Sequence, residues 1–175
     1  YELEGKKLGL IGYGNVGPRI EKIAVALGMV VSYTNSKSTP EEIDALISTS
    51  DFIVICAPLT DATRNLVDER RLNLLKPTAV LVNVGRGTII DQNALTGTLK
   101  AGKIRGAGLD VFDGEPLTGE PSDTIVELAK LPNVIATPHI AYNTEEINDK
   151  QGAEILANLK SCLESTPINV VRSSS

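Results

Sequence analysis

Three ionisable residues, Arg86, Glu115 and His139, each follow a short apolar segment in the second half of the chain. A guanidinium binds carboxylate and carbonyl oxygens, and an imidazolium donates a proton to a developing alkoxide. A neighbouring carboxylate keeps that imidazolium charged. Placed together beside a hydride donor, these residue types are suited to the reduction of an α-keto acid.

Each of these residues also has a structural interpretation. Arg86 could form a surface ion pair at a turn, Glu115 could be a solvated loop acid, and His139, the single histidine, could serve the fold alone. Three such residues after consecutive strands are hard to obtain by chance, so the pattern favours the catalytic interpretation.

A glycine motif near the start of the chain predicts where the hydride donor binds. The apolar run Leu8–Ile11 leads into Gly12-x-Gly14-x-x-Gly17, which is typical of a strand turning tightly into a helix. The helix N-terminus then faces a diphosphate. A glycine turn without a ligand is the alternative. The predicted diphosphate-binding residues are Gly12, Gly14, Asn15, Val16 and Gly17.

Strand and helix patterns alternate along the remaining chain. The predicted strands are Leu8–Ile11, Met29–Tyr33, Asp51–Ala57, Ala79–Asn83, Gly106–Val111 and Val134–Thr137. Segment 38–42, Asp68 and Asp91 mark helix starts, and Phe112–Asp123 is a turn-rich loop. Six strands alternating with helices predict an α/β fold, a doubly wound parallel sheet with helices on both faces.

A long helix is predicted from about Thr144 to Leu163. Its positions expected to be buried are Ile147, Ala153, Leu156 and Leu163.

The composition restricts the class of protein. A chain of 175 residues, 42% hydrophobic and 22% charged, fits one soluble domain. A net charge of -5 without a basic cluster argues against nucleic-acid binding, and no apolar run is long enough to cross a membrane.

Cys56 and Cys162 are expected to be reduced, buried thiols, which suits a cytoplasmic protein. No metal site is predicted. The start at Tyr1, without methionine, favours a processed or excised piece.

From Leu3 to Val170 the chain resembles the cofactor domain of the D-isomer-specific 2-hydroxyacid dehydrogenases, and so implies a Rossmann dinucleotide-binding fold. The matching segments, besides the glycine motif, are Ala57–Thr60, Val82–Gly87 with Asp91, Gly108–Phe112 with Glu115–Pro116, and Thr137–Ala141.

The resemblance implies an NAD(P)-dependent oxidoreductase that transfers a hydride between a nicotinamide dinucleotide and a small 2-oxo or D-2-hydroxy acid. It makes Arg86 the substrate-binding arginine, His139 the general acid/base and Glu115 its partner. Further cofactor contacts would be Ala57, Pro58, Leu59, Asn83, Val84, Gly85, Asp110, His139 and Ala141. It also implies a homodimer.

The family's separate substrate domain has no counterpart in this chain. Residues 1–175 are therefore expected to form a single dinucleotide-binding domain, half of an enzyme, with low activity when alone.

The segment after the second predicted strand bears on the choice of cofactor. NAD-using members of the family carry an Asp where this chain has Thr34, and Asn35, Ser36 and Lys37 follow. Neutral donors and a positive charge can hold the 2'-phosphate of NADPH. The segment therefore favours NADPH, with NADH or use of both cofactors as the alternative.

Two other functions are compatible with a domain of this kind. C-terminal binding protein co-repressors resemble the same family and act mainly through partner proteins, so an NAD(H)-binding regulatory module is the main alternative. S-adenosylhomocysteine hydrolases have a similar dinucleotide domain, but they lack this arrangement of Arg, Glu and His.

Overall fold

A computed structural model describes residues 2–115 and 119–170. Its strands are β1 Lys7–Ile11, β2 Val30–Thr34, β3 Phe52–Ile55, β4 Val80–Asn83, β5 Gly106–Leu109 and β6 Val134–Ala136. Its α-helices are α1 Gly17–Ala26, α2 Pro40–Thr49, α3 Glu69–Leu72, α4 Gln92–Lys100, α5 Asp123–Ala129 and α6 Glu145–Leu163, with a 3-10 helix at Gly87–Ile89.

The six strands form one parallel sheet in the order β2-β1-β3-β4-β5-β6. The chain winds outward from β1 to β2 and then crosses back to β3 on the other side of β1. In open sheets of this kind, ligands bind outside the carboxyl ends of the strands where the winding direction reverses. The prediction of a doubly wound parallel sheet is confirmed, and the reversal lies between β1 and β3.

Both faces of the sheet are covered by apolar side chains. Leu8 and Leu10 of β1 pack with Ala24 of α1 on one face. Ile53 and Ile55 of β3 belong to the larger core on the other face, which includes residues of α2, α4 and α5. Residues two positions apart, such as Leu8 and Leu10 or Ile53 and Ile55, share a face because side chains of a strand point alternately to its two sides.

The helix starts follow the capping signals in the sequence. In α2 the Thr39 hydroxyl accepts from the Glu42 N–H at 3.3 Å, and the Glu42 carboxylate accepts from the Thr39 N–H at 2.8 Å, which is a complete capping box. Asp68 and Asp91 cap α3 and α4 with one bond each, because their carboxylates accept from the Arg71 N–H at 2.8 Å and the Ala94 N–H at 3.0 Å. The predicted strands are confirmed to within two residues at each end.

One helix between β5 and β6 is not identified by the sequence pattern. Helix α5 begins at Asp123, the last residue of the predicted turn-rich loop, and buries only Ile125 and Leu128. So short a helix has too few apolar positions for a recognisable period. Residues 116–118 of the loop lie outside the described residues.

The chain divides into two compact units, Tyr1–His139 and Ile140–Ser175. In the second unit, α6 is capped by Thr144 and has the predicted length. The predicted burial of Leu156 and Leu163 is wrong, because they are 68% and 87% exposed. Ala153 is exposed as well, and Ile147 is half-buried. An amphipathic stripe is buried only where a second surface covers it, and this unit has no other helix or strand among its described residues.

Both cysteines are free thiols, as predicted, but they differ in burial. Cys56 is half-buried, and burial raises the pKa of its thiol. Cys162 on α6 is exposed, so its predicted burial is wrong. Within the ranges 2–115 and 119–170, no helix has both the length and the hydropathy needed to span a membrane.

We predict that replacing Ile53 with alanine destabilises the fold by about 2 to 5 kcal/mol, because its fully buried side chain leaves a cavity in the central sheet. Ile135→Ala is the matched control, since Ile135 lies in β6 but is 76% exposed and should change stability by about 0.5 kcal/mol or less. The measurement is the free energy of unfolding in urea. Equal losses in the two variants would contradict the assigned core.

Candidate active site

The loops that follow the strands contact one another in the order of the sheet. The first contact joins β2 and β1, because the carbonyl of Thr34, the last residue of β2, accepts a hydrogen bond of 3.0 Å from the Gly12 N–H after β1. Gly12 lies so close to the end of β3 that a Cβ added there would be 2.6 Å from the Ala57 nitrogen. A Cβ on Gly85, after β4, would be 2.8 Å from the Ala57 oxygen. Four strand ends are therefore packed backbone against backbone.

The same edge continues to β6 through hydrogen bonds. The Asp110 N–H donates to the Asn83 carbonyl at 3.1 Å. The Thr137 N–H donates to the Leu109 carbonyl at 2.9 Å, and its hydroxyl donates to the Asp110 carboxylate at 2.6 Å. We call the whole series, from Thr34 through these loops to His139, the strand-end row.

The three glycines of the motif meet different constraints. Gly12 has a φ of +102°, which favours glycine, in addition to its contact with the end of β3. A Cβ on Gly17 would be 2.9 Å from the Gly12 oxygen, so Gly17 brings the helix close to the turn. A Cβ on Gly14 would have no atom within 4 Å. The packing of the protein itself therefore leaves room for a side chain at position 14, whereas a ligand bound against the backbone there would not.

The start of α1 is suited to an anion. Its N-cap residue Val16 provides no capping side chain, and its first turn contains no acid. By contrast α2, α4 and α6 are each capped by a side-chain oxygen. The uncapped helix start and the positive end of the helix dipole thus follow closely on the open space at Gly14, three residues before α1 begins.

The segment after β2 forms a compact polar turn. Thr34 is buried, whereas Asn35, Ser36 and Lys37 are exposed. The Asn35 side-chain oxygen accepts from the Lys37 N–H at 2.9 Å, and the Ser38 hydroxyl accepts from the Asn35 N–H at 3.2 Å. Across the described part of the chain, no carboxylate forms an ion pair with Lys37.

Two tyrosines at this end of the strand-end row are not identified by the sequence analysis. The rings of Tyr13 and Tyr33 stack, with centroids 3.7 Å apart and planes inclined by 13°. The Tyr13 hydroxyl donates to the Glu21 carboxylate, and this bond raises the Tyr13 pKa to about 12. The stack joins the glycine turn to the end of β2.

Asn83 holds the loop that carries Arg86. The buried Asn83 amide accepts from the Gly85 N–H at 3.0 Å and donates to the Arg86 carbonyl at 3.0 Å. The Arg86 side chain is exposed and donates to the Gly85 carbonyl at 2.7 Å. Asn83, predicted as a cofactor contact, therefore also fixes the backbone of its loop.

Glu115 and His139 form a pair at the other end of the strand-end row. The Glu115 Oε1 lies 3.0 Å from the His139 Nδ1, and the side chains are 32% and 40% exposed. A carboxylate only accepts hydrogen bonds, so Nδ1 carries the hydrogen and Nε2 is the nitrogen that can exchange a proton. His139 has a φ of +54°, a conformation rare outside glycine and often found at functional sites.

The remaining predicted residues occupy several environments. Ala57 and Asp110 are buried, Val84 is half-buried, and Pro58 and Leu59 are exposed at the end of β3. Ala141 is exposed and belongs to the second unit. No group of three or more His, Cys, Asp or Glu side chains within residues 2–115 and 119–170 is arranged to hold a metal ion.

Residues 1–141 match the NAD binding domain of the D-isomer specific 2-hydroxyacid dehydrogenases. The chain belongs to this family.

Two comparisons illustrate the relationship. A glyoxylate reductase of Thermococcus litoralis is 39% identical over 169 residues, covering 91% of this chain and 49% of the relative. A D-lactate dehydrogenase of Aquifex aeolicus, solved in complex with NAD and lactic acid, superposes with a TM-score of 0.87 at 32% identity, covering 95% of this chain and 56% of that structure. The chain thus spans about half the length of such relatives.

A third relative carries a different cofactor. An acyclic imino acid reductase, solved in complex with NADPH and D-Arg, superposes with a TM-score of 0.82 at 35% identity, covering 98% of this chain and 55% of that structure. Relatives of this chain thus include complexes with NAD and with NADPH.

We predict that Gly14→Ala weakens dinucleotide binding at least tenfold but leaves the free energy of unfolding nearly unchanged, because the added methyl would occupy only open space, where a bound diphosphate would lie. Gly12→Ala is the comparison variant and should lower stability itself, since its Cβ would overlap the end of β3 at a φ of +102°. Calorimetric titration and urea denaturation measure the two effects. Unchanged dinucleotide affinity in Gly14→Ala would contradict this position for the diphosphate.

Proposed function

We propose that this chain is the cofactor-binding and catalytic half of an NAD(P)-dependent D-2-hydroxyacid dehydrogenase. The observation that carries the proposal is the strand-end row, which has an open glycine turn near one end and the Glu115–His139 pair at the other. The substrate is a small 2-oxo acid, or the corresponding D-2-hydroxy acid in the reverse direction.

The proposed cofactor contacts lie along the strand-end row. The amide groups at the start of α1 bind the diphosphate, with Gly14 providing the space for it. The loops after β3 and β4 and the buried Asp110 extend the site toward His139. When bound, the nicotinamide supplies or accepts the hydride.

The proposed catalytic residues move a proton and orient the substrate. His139 donates a proton from Nε2 to the alkoxide oxygen that forms during reduction, and removes it in the reverse direction. Glu115 accepts from Nδ1–H, which fixes the ring and stabilises the imidazolium. Arg86 binds the carboxylate of the substrate, because a guanidinium forms two parallel hydrogen bonds to a carboxylate.

The relatives favour this function over the regulatory alternative. The curated relatives include glyoxylate and hydroxypyruvate reductases, and the structural neighbours include a D-lactate dehydrogenase. None of these relatives is a co-repressor, so they give no support to the regulatory alternative. Which 2-oxo acid is preferred depends on a substrate domain, which we propose is supplied by sequence outside this chain.

We further propose that the domain forms a homodimer in the cytoplasm. The family resemblance supports the dimer, and two free thiols are compatible with a reducing compartment. Sedimentation velocity of the purified chain distinguishes a monomer from a dimer.

We predict that His139→Gln lowers kcat of the complete enzyme by about 10²- to 10⁴-fold, because glutamine cannot exchange a proton as imidazole does. The dissociation constant for dinucleotide should stay nearly the same, since the glycine turn is unchanged. Steady-state kinetics and calorimetry provide the two values. An unaltered kcat would remove His139 from the proposed mechanism.

The second prediction of the proposal concerns cofactor preference. We expect this chain to bind NADPH more tightly than NADH, because Lys37 and the neutral donors beside it can hold a 2'-phosphate. Thr34→Asp should make NADH the more tightly bound dinucleotide, because the added carboxylate repels the 2'-phosphate of NADPH.

Lys37→Gln should weaken NADPH binding without changing NADH binding, and Lys22→Gln on the exposed surface of α1 is the matched control. Calorimetric titration with both dinucleotides provides the test. Tenfold tighter binding of NADH to the unmodified chain would refute the NADPH preference.

A further inference from the structure

The loop that carries Glu115 depends on a neighbouring loop for its position. Residues 111–115 contain no helix or strand, and the turn at Asp113–Gly114 is exposed, with a φ of +71° at Gly114. An exposed turn of this kind has several accessible conformations unless other groups hold it. Glu115 follows this turn directly.

The first contact that holds the turn is made by Gly87. A Cβ at Gly87 would overlap the carbonyl group of Phe112 and the nitrogen of Asp113, so the two backbones touch. Gly87 follows Arg86 and begins the 3-10 helix. The loop with the proposed substrate-binding arginine therefore packs directly on the loop with the proposed acidic partner of His139.

The second contact is a hydrogen bond that a side chain accepts from the backbone of the turn. The Gln92 Oε1 accepts from the Asp113 N–H at 2.9 Å. This bond is made two residues before Glu115, at the turn itself.

Gln92 is itself well anchored. It is the first residue of α4, and the Asp91 carboxylate caps that helix by accepting from the Ala94 N–H at 3.0 Å. The Asp91 N–H donates to the Val67 carbonyl at 3.0 Å, and the Gln92 carbonyl accepts from the Thr96 hydroxyl at 2.7 Å. The backbone at Gln92 is therefore held within the first turn of α4 and, through Asp91, against the segment that contains Val67.

Packing on the far side of the turn cannot replace this bond. An open polar pocket of about 590 Å³ lies beside the turn, and Asn65, Asn93 and Ser122 line it together with Gln92 and the turn. With open space beside it, the turn can relax into the pocket when the hydrogen bond is lost.

From these contacts we infer that Gln92 is a positioning residue for the Glu115–His139 pair. It holds the Asp113 N–H, and this fixes the turn from which the Glu115 carboxylate reaches Nδ1 of His139. The inference rests on the proposed function, because it assigns a role to a residue that acts through the proposed catalytic pair.

The single histidine makes a direct test possible. The tautomer of a neutral imidazole is set by the hydrogen bond at Nδ1, and the ¹⁵N chemical shifts of the ring report which nitrogen carries the hydrogen. In the chain labelled with ¹⁵N-histidine, at about pH 9, well above the ordinary range for His, we expect the Nδ1–H tautomer from the contact with Glu115.

Gln92→Met keeps the size of the side chain but removes its acceptor. We expect the ratio of loop conformations with and without the Glu115–His139 contact to fall roughly fivefold, which corresponds to one net hydrogen bond. The ¹⁵N signal of the Nδ1–H tautomer, called here the Nδ1–H signature, should decrease to match. Gln92→Ala should give the same loss and serves if the methionine variant folds poorly. Gln92→Glu keeps an acceptor oxygen and should retain the signature.

Asn93→Ala is the matched control, because Asn93 is the next residue of α4 and lines the same pocket without bonding to the turn. An unchanged signature in both Gln92→Met and Gln92→Ala would overturn the positioning role.

Glu115→Ala, measured in parallel, distinguishes a failure of the positioning role of Gln92 from a failure of the proposed function. If Glu115→Ala loses the signature while the Gln92 variants keep it, only the positioning inference fails. If Glu115→Ala keeps the signature, the pair is not formed, and both the proposed function and the inference fail.

Discussion

The close approach of Gly12 to the end of β3 is the contact on which the rest of the site depends. At this point the winding of the sheet reverses, and the backbone of the first loop lies against Ala57 with no room for a side chain. The same approach leaves the start of α1 open beside Gly14. A side chain at position 12 would separate the loops and displace the proposed binding surface.

Each further strand end is held to its neighbour by backbone contacts. As a result, residues distant in sequence share one edge of the sheet without depending on flexible side chains. Side chains add to these contacts, and the Thr137–Asp110 bond and the Gln92–Asp113 bond hold the loops nearest to the proposed chemistry. The positions of the loops next to His139 and Glu115 thus depend in part on side chains.

Much of the fold could be predicted from the sequence, because its signals are local. The apolar run 51–57 is typical of a strand buried on both faces, and the caps at Thr39 and Asp91 mark helix starts by their chemistry. Helix α5 is too short for its apolar positions to show a recognisable helical period. The burial of Leu156 could not be judged, since a periodic stripe predicts an apolar face but does not supply the surface that covers it.

The site was predictable only where a residue follows a strand. Glu115 and His139 satisfy that rule, and the structure places them 3.0 Å apart. Gln92 and Tyr13 act through contacts that depend on how separate loops pack, and no spacing in the sequence encodes those contacts.

The central claim is that one continuous site extends along the strand-end row. Titration of the ¹⁵N-labelled chain with NADPH tests it most directly, by following the amide signals of Gly14, Asn35, Gly85 and Thr137. These residues follow four different strands. We expect all four signals to shift with a single dissociation constant. Shifts confined to one end of the row, or different dissociation constants at its two ends, would contradict it.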